Sequence, residues 1–492
     1  MGFPARLWNK IIHIYFGLAG SGRVRVDIVL LVSAMAPQDA TMYWLSRRTR
    51  NDLFLLYCFA DSGQSTEELR AAVAERSERI ADLRVRLREL PADIDYPSWT
   101  PGEFAAEQFV EHQLAEHYWS RLLDALGDVL GTGVDAAVRP WRLHVFRGIV
   151  DAPGPGNGPA LVAVLQMSHA LADGRRASAI ARALFSESAV DEDAAFRGGH
   201  RAGLMPGGGG VLADSVLGLL RMPVRLASTA VRGYQAFRAQ QRLAELTERG
   251  ELPPPGAGFP ASLVNRSRPE GISRHAVRML VFPAGDLRVP GRTVTVVVLT
   301  AVSLALARYL ADDEEPMRRL GAQVPSALPE SSPRRGIRPR NNYRSLGVDL
   351  FTDEPDLRLR ADKIAAALAE RRLRAQHPLL SAQDRVTATI PAPLLRRDVD
   401  RYPIDTVPDS IAGHTVVSSV HRGPADLVFG GGPVRFTAGF PALGSVMHLT
   451  HGVHGLGDTV TVSVHADSAV VPDVDAYADL LRSGVKEVIA AL

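Results

Sequence analysis

Apolar residues along the chain follow two kinds of pattern, and the alternation between them predicts the elements. Short, nearly continuous apolar runs indicate buried strands, and apolar residues at helical spacing indicate amphipathic helices. The clearest helix start is Ser65, because Ser65-x-x-Glu68 has the form of a capping box. In chain order the pattern predicts a strand at 51–60, helices at 65–87 and 104–129, strands at 141–147 and 160–167, a long helix at 211–250 interrupted near Pro223, a helix at 293–311, strands at 323–328 and 345–351, a helix at 355–376, strands near 415–420, 432–436 and 459–465, and a last helix after Pro472. Mixed strands and helices in both halves are typical of α/β lobes.

Glycine and proline clusters divide the chain into larger units. Residues 198–210 include four consecutive glycines, which is a linker composition, and a Pro/Gly cluster at 253–258 ends the long helix. A chain of 492 residues is too long for one ordinary core. We therefore predict an N-terminal extension at 1–34, a first lobe at 35–200, a helical linker at 201–270 and a second lobe at 271–492.

The N-terminal extension superficially resembles a signal peptide, because Arg6 and Lys10 precede or enter a short apolar patch at 8–18. The patch contains His13 and is followed by further arginines, so we interpret the extension as an interfacial helix or as a misassigned start. We find no run of ~18 uninterrupted apolar residues, the length that a membrane-spanning helix needs.

Charge and cysteine content narrow the functional class. The chain has 56 Lys+Arg against 54 Asp+Glu, a net charge of +2, so nothing favours a nucleic-acid partner. Cys58 is the single cysteine, which excludes an internal disulfide and favours a cytoplasmic location. Because Cys58 lies in a predicted strand, we expect a core residue there rather than a nucleophile.

Three histidines at intervals of three, His448, His451 and His454, raise the question of a metal site. No carboxylate or thiol lies among them, and the neighbouring glycines indicate a loop or a strand edge. We expect a structural or solvent-facing role, and no metal.

The segment Leu165–Gly174 (LQMSHALADG) carries the strongest chemical signal. A buried strand leads directly into His169, whose imidazole can take a proton from an alcohol near neutral pH. Asp173 can brace the turn, and Gly174 permits a tight backbone before the next helix. The bare H-x-x-x-D-G pattern also fits a capped helix start with a histidine satisfied in the core, and the motif alone leaves both interpretations open.

This segment resembles the H-H-x-x-x-D-G motif of the bacterial wax ester synthase/diacylglycerol O-acyltransferase family, part of the chloramphenicol-acetyltransferase-like superfamily. Further segments resemble that family in the same order from about Met35 onwards: Ala36–Trp44, Arg139–Trp141, Val294–Leu306, Asn342–Ser345, Val416–Pro424 and His465–Asp473. The resemblance implies an α/β, two-lobed chloramphenicol-acetyltransferase-like fold with mixed sheets and a substrate tunnel between the lobes.

The chain departs from the family pattern at several positions. Ser168 stands where the family has its first motif histidine, and Thr295 and Val296 replace an Asn-Asp pair. Ser419 and His421 replace Asn and Pro in the segment that resembles SNVPGP. These departures keep two alternatives open: an enzyme of the same fold with a different acceptor, such as a condensation enzyme, and an inactive lipid-binding homologue.

The resemblance also implies a reaction and a set of site residues. His169 would act as the general base while a fatty acyl group passes from acyl-CoA to diacylglycerol or a long-chain alcohol, with acyl-CoA as a substrate and no cofactor. Asn342 and Ser345 are tunnel candidates, although strand-start hydrogen bonding explains them equally well. Trp141 is a further tunnel candidate, at a position that is more often core.

Diacylglycerol and long-chain alcohols are apolar enough to partition into membranes. The arginine-rich stretch 211–249 and the patch at 8–18 could dock on an anionic bilayer or a lipid droplet. A lobe-connecting helix with a solvated arginine face explains 211–249 as well. We favour that interpretation, and the two roles are compatible.

Overall fold

The computed structural model describes residues 35–187, 211–267, 274–311, 319–329 and 339–492. The predicted extension at 1–34 and the glycine run at 207–210 lie outside the described residues. The strands are β1 Leu53–Ala60, β2 Val85–Arg88, β3 Ser98–Pro101, β4 Phe109–His112, β5 Trp141–Ile149, β6 Ala160–Met167, β7 His275–Pro283, β8 Gly321–Ala327, β9 Tyr343–Asp349, β10 Thr415–His421, β11 Val428–Phe429, β12 Gly432–Gly439, β13 Leu449–Leu456 and β14 Thr459–Asp467. The α-helices are α1 Pro37–Ser46, α2 Thr66–Glu78, α3 Trp119–Leu130, α4 Gly174–Phe185, α5 Val211–Glu248, α6 Val294–Tyr309, α7 Leu357–Ala375, α8 Ser381–Thr387, α9 Ala392–Arg401 and α10 Val474–Ala491.

The first lobe is built on a sheet with the strand order β11-β12-β1-β6-β5-β4. Helices α2 and α4 cover one face of this sheet, and α3 covers the other. Strand β6 is therefore buried along its whole length, which explains its nearly continuous apolar sequence. Its antiparallel pairing with β1 sets Leu53 opposite Met167, at the end of the strand that leads to His169.

The second lobe is built on a sheet with the strand order β7-β14-β13-β10-β8-β9. Helices α6, α7 and α10 pack on it and form a large apolar core with its strands. Strand β10 runs parallel to β13 and β8, whereas β14 is antiparallel to β13 and β7. Both lobes thus contain mixed sheets, as predicted.

Two strands of the first sheet come from the second half of the chain. Strand β12 pairs antiparallel with β1, with Leu55 opposite Gly439, and β11 pairs with β12 at the edge. This pairing satisfies the backbone groups on the free side of β1, which a buried strand requires. The predicted boundary at residue 271 stays a prediction, and β11 and β12, which lie beyond it in the chain, belong to the first sheet.

Helix α5 runs unbroken from Val211 to Glu248 although Pro223 lies inside it, so the predicted interruption is wrong. Arg221 and Arg225 contact the carboxylate of Asp95 in the first lobe at 3.5 and 2.9 Å. The later part of α5 packs against α8. The arginine face is therefore partly ion-paired, and the helix connects the two halves of the molecule.

The apolar pattern predicted some elements correctly and missed others. The strand at 160–167 and the capping box at Ser65 are confirmed. The helix predicted at 65–87 ends at Glu78, because Val85 and Leu87 are the buried positions of strand β2 and alternate with Arg86, which is exposed, and Arg88, which is half-buried. The helix predicted at 104–129 is wrong in its first half, where β4 pairs with β5.

Cys58 is a core residue, as predicted. Its thiol is buried in β1, and burial raises the pKa of that thiol to about 12. A thiol with this pKa stays protonated at neutral pH and is a poor nucleophile.

Candidate active site

A cavity of about 1840 Å³ lies between the two lobes. The first lobe contributes residues from α1, from the start of β1 and from the segment that follows β6. The second lobe contributes residues of β8, β9 and β10, and helices α5, α8 and α9 line the remaining wall. Within the described residues, the cavity is thus shared by both halves of the chain, and we call it the inter-lobe cavity.

His169 lines the inter-lobe cavity just after β6 ends at Met167. The turn that carries it is held by two backbone hydrogen bonds, from Ser168 N to Pro140 O at 2.8 Å and from Leu171 N to Ser168 O at 2.9 Å. The imidazole stacks on the ring of Tyr343 from the second lobe, with 6.0 Å between centroids. His169 is partly buried, so the position of its ring on the cavity wall is restrained.

Burial lowers the pKa of His169, and its own carbonyl oxygen, the Asn341 amide and the Asp173 carboxylate oppose this effect only partly. The imidazole is consequently neutral at pH 7 and can accept a proton. Its Nδ1 is buried without a partner at hydrogen-bond geometry, and so is the Oδ1 of Asn341.

Asp173 caps helix α4 and bridges the lobes. Its Oδ1 accepts a hydrogen bond from Arg176 N at 2.9 Å, and its Oδ2 accepts one from Asn342 N at 3.2 Å. Both carboxylate oxygens are thus committed to backbone donors, one in each half of the chain. Gly174 has no positive φ, and a Cβ there would lie 3.6 Å from Val420, an ordinary contact. The turn therefore does not require glycine at this position.

Asp39 and Asn341 support His169 from behind, and sequence reasoning missed both. Asn341 Nδ2 donates to the carbonyl oxygen of His169 at 2.7 Å and to Asp39 Oδ1 at 2.9 Å. Asp39 also accepts hydrogen bonds from the backbone N–H groups of Arg340 and Asn341 at 2.8 and 2.9 Å. Asp39 is 1% exposed, and burial raises the pKa of its carboxyl. The available signal was the position of Asp39 in the segment Ala36–Trp44 that resembles the family.

The other predicted site residues are divided between the cavity and the core. Ser345 lines the cavity. Asn342 instead donates its side-chain amide to Leu328 O at 3.2 Å. Trp141 does not line the cavity: its indole is fully buried in the first-lobe core, and its N–H donates to Leu83 O at 2.9 Å. Ser168 is 1% exposed and lies under the turn.

Two positions that depart from the family pattern contact each other. Thr295, at the start of α6, donates its hydroxyl to Ser419 Oγ of β10 at 3.1 Å, and Ser419 lines the cavity. Each residue stands where the family has an asparagine, so the change at one position is matched at the other. Two smaller hydroxyls thus stand where the family has two amide side chains, and one of them, that of Ser419, is in the cavity wall.

Of the three spaced histidines, His451 and His454 lie in β13, a strand inside the second sheet, and His448 directly precedes it. Of the two predicted roles, the structural one is therefore confirmed and the solvent-facing one is wrong. All three are buried. His451 contacts Thr415 Oγ1 at 2.9 Å and Tyr477 Oη at 2.8 Å, which ties β13 to β10 and α10. In the described ranges, no group of three or more His, Cys, Asp or Glu residues is arranged to hold a metal ion.

Comparisons with known proteins agree with this architecture. Residues 341–488 match the family model described as the WS/DGAT C-terminal domain. The wax ester synthase/diacylglycerol acyltransferase from Marinobacter aquaeolei VT8 has a similar structure, with a TM-score of 0.57 at 17% identity over 92% of this chain and 98% of that chain. A mutant starter condensation domain of rhizomide synthetase RzmA in complex with C8-CoA and Leu-SNAC gives a TM-score of 0.53 at 13% identity, over 94% of each chain.

The first condensation domain of the CDA synthetase gives a TM-score of 0.53 at 14% identity, over 93% of this chain and 95% of that chain. A comparison with curated protein sequences finds no match. The resemblance that the sequence suggested is thus confirmed: residues 341–488 carry a WS/DGAT C-terminal domain, and the chain has the two-lobed chloramphenicol-acetyltransferase-like fold of the wax ester synthase/diacylglycerol acyltransferases and the condensation domains.

Proposed function

We propose that the protein transfers a fatty acyl group from acyl-CoA to the hydroxyl of diacylglycerol or of a long-chain alcohol. The observation that carries this proposal is a neutral imidazole, His169, on the wall of a cavity between two lobes, in a chain with a WS/DGAT C-terminal domain. A condensation-type acyl transfer to another acceptor is the second candidate, because condensation domains share the fold.

In the proposed reaction, His169 takes the proton of the acceptor hydroxyl as the hydroxyl oxygen attacks the thioester carbonyl carbon. The carbon–sulfur bond then breaks, and the imidazolium returns the proton to the leaving thiolate. The products are an ester and free CoA, and no acyl-enzyme forms. Because Asp173 is held by backbone donors in both halves of the chain, its role in this scheme is to fix the turn and not to transfer protons.

The lining of the inter-lobe cavity supports an apolar substrate. Leu226, Val231 and Phe237 of α5 face it, as do Leu394 and Phe440. Cavities lined mainly by apolar side chains, with a few polar groups in fixed positions, are typical of sites for apolar ligands. The volume, about 1840 Å³, exceeds that of usual small-molecule pockets and leaves room for long chains.

Helix α5 also supports contact with a lipid surface. It exposes large apolar side chains to solvent, including Leu219 and Leu220 at 53% and 69% exposure. Arginines on the same helix would favour an anionic surface. No helix in the described part of the chain has the length and hydropathy to cross a bilayer. From its exposed apolar side chains and its arginines, we propose that α5 attaches the protein peripherally to a lipid surface.

The proposed function is tested with purified protein, palmitoyl-CoA, and either hexadecanol or a diacylglycerol. Release of free thiol and formation of ester are followed together, and a reaction without acceptor measures hydrolysis. If ester forms at the same rate as free thiol is released, the alcohol or diacylglycerol in that reaction is identified as the acceptor. If folded protein esterifies neither acceptor, the neutral-lipid proposal is wrong.

We expect Asn341→Ala to slow acyl transfer by about 10- to 100-fold, because the turn behind His169 loses its tie to Asp39. The Asn341 side chain raises the pKa of the His169 imidazole, so its removal lowers that pKa further. The acid limb of the pH–rate profile should therefore move to lower pH. A steady-state pH–rate series of kcat/KM measures both effects.

The matched control is Asn342→Ala, which removes the neighbouring amide that bonds Leu328 O. This variant should leave the acid limb where it is. An unchanged limb in Asn341→Ala, or an equal shift in both variants, would show that Asn341 does not act through His169.

A further inference from the structure

Arg422 is a buried cation without a counter-ion among the described residues. It follows β10 and is only 5% exposed. Its Nη1 donates to Thr437 Oγ1 and to Ala438 O, the latter at 2.9 Å, and its guanidinium lies 5.3 Å from the centre of the Tyr57 ring. Its Nε is buried without a partner. These neutral contacts hold the guanidinium in place but do not balance its charge.

An unbalanced charge in this position is costly. Burial lowers the pKa of Arg422, yet a guanidinium keeps its proton at neutral pH. Buried charges in proteins are normally paired or bound to a ligand, because an unpaired one loses its hydration. The position therefore favours an anion that arrives from outside the chain.

The inter-lobe cavity provides the route for such an anion, since Arg422 lines it together with Gly439 and His454. A Cβ on Gly439 would lie 2.6 Å from Arg422 Nη2 and 2.8 Å from the His454 ring, so glycine keeps the approach to the guanidinium open. Tyr57 Oη and His454 Nδ1 are also buried without partners at hydrogen-bond geometry. Polar atoms thus lie around the Arg422 guanidinium, and His454 lines the cavity with it.

The other charged groups of the cavity do not compete for this role. Arg344 binds Asp384 at 2.5 Å, and Arg397 lies 3.7 Å from Asp398. Arg175 is exposed at the start of α4. Arg422 is therefore the buried cation among the arginines that line the cavity, and its planar guanidinium can bind a carboxylate through two parallel hydrogen bonds.

We propose that Arg422 forms an anion-binding subsite of the inter-lobe cavity, which takes the carboxylate of a long-chain ligand while the chain occupies the apolar part. This subsite lies about 10–15 Å from His169, as the strand spacings show. Gly439 pairs with Leu55, and Leu53 pairs with Met167. A carboxylate at Arg422 therefore leaves space for an alkyl chain that extends towards His169. The inference goes beyond the proposed function, because it concerns binding and needs no acyl transfer.

The test compares the binding of palmitate, hexadecanol and hexadecyl phosphate, without acyl-CoA, by displacement of a fluorescent fatty acid below micelle-forming concentrations. We expect wild-type protein to bind palmitate at least about tenfold more tightly than hexadecanol. Arg422→Met should remove this preference and leave hexadecanol binding unchanged, and Arg422→Lys should keep part of it. Circular dichroism and thermal unfolding identify variants that fold.

Gly439→Ala provides a second variant that keeps the charge. Its added methyl group should displace the guanidinium and weaken palmitate binding without affecting hexadecanol. Equal binding of palmitate and hexadecanol to wild-type protein would overturn the proposal. Tighter binding of hexadecyl phosphate than of palmitate would overturn the assignment to a carboxylate. Because no acyl-CoA is present, these outcomes do not depend on whether the protein catalyses acyl transfer.

Discussion

His169→Ala is expected to lower the rate of ester formation from acyl-CoA by about 10²- to 10⁴-fold, the contribution of a positioned general base. The neutral imidazole, just after the end of β6, can take the proton of the acceptor hydroxyl. Alanine at this position leaves that proton without a base. The assay follows thiol release and ester formation at saturating palmitoyl-CoA. The loss should appear in kcat, since the substitution leaves the apolar walls of the cavity intact.

His421→Ala is the matched control, because His421 lines the same cavity and lies on its exposed part. Its ring accepts a hydrogen bond from Gly423 N at 3.2 Å and has no part in the proposed proton transfer. This variant should retain activity within a few-fold of wild type. Full activity in His169→Ala would show that another group is the base, and equal losses in both variants would indicate damage to the cavity.

The protein is expected to lose several kcal/mol of stability between pH 7.5 and pH 5.5. Burial lowers the pKa of His144 and of His414 to about 4, and the pKa of His451 and of His465 to about 3. In the unfolded chain these residues titrate near 6.5. Below that pH the unfolded state binds more protons than the folded state, so the free energy of unfolding falls as pH falls.

Each of these histidines contributes on the order of 1 kcal/mol per pH unit below 6.5. Asp52 opposes them, because burial raises the pKa of its carboxyl to about 6 and the folded state then gains protons as pH falls. One carboxyl offsets only part of the effect of four histidines. Urea unfolding at intervals from pH 8 to pH 5 measures the balance, and a midpoint that does not change over this range would contradict the prediction.

A variant that replaces one of the four histidines measures how much that residue contributes to the pH dependence of stability. His414 Nδ1 accepts a hydrogen bond from Gly321 N at 3.0 Å, and its Nε2 is buried without a partner at hydrogen-bond geometry. His414→Asn keeps a polar partner for that N–H. It should reduce the stability difference between pH 7.5 and pH 5.5 by about one quarter.

The sequence predicted the part of the site that lies close together along the chain. His169 follows a strand whose burial is visible as a continuous apolar run, and Asp173 lies within one turn of it. Asp39 and Asn341 were missed because they contact each other across 302 positions of the chain, and Asn341 contacts His169 across 172 positions. Hydrogen bonds of this kind leave no periodic pattern in the sequence.

Residues that look equivalent in the sequence pattern can also differ in their surroundings in the fold. Trp141 and His169 both lie near strand ends, yet the indole is enclosed by the first-lobe core and the imidazole faces the cavity. The sequence predicts a loop or a strand edge at β13, because glycine is a poor strand former in isolation. Its neighbours β10 and β14 supply the pairing that its own sequence does not favour.

The pairing of β12 with β1 has a consequence for how the molecule is made. On a ribosome, β1 is synthesised long before residues 432–439, which complete its outer edge. Until then, the emerging half-molecule exposes an unpaired and largely apolar strand, the kind of surface that favours aggregation. The first lobe can complete its sheet only when most of the chain has been translated. We therefore expect its early translation products to need protection by a chaperone, and fragments that end before β12 to be recovered as aggregates.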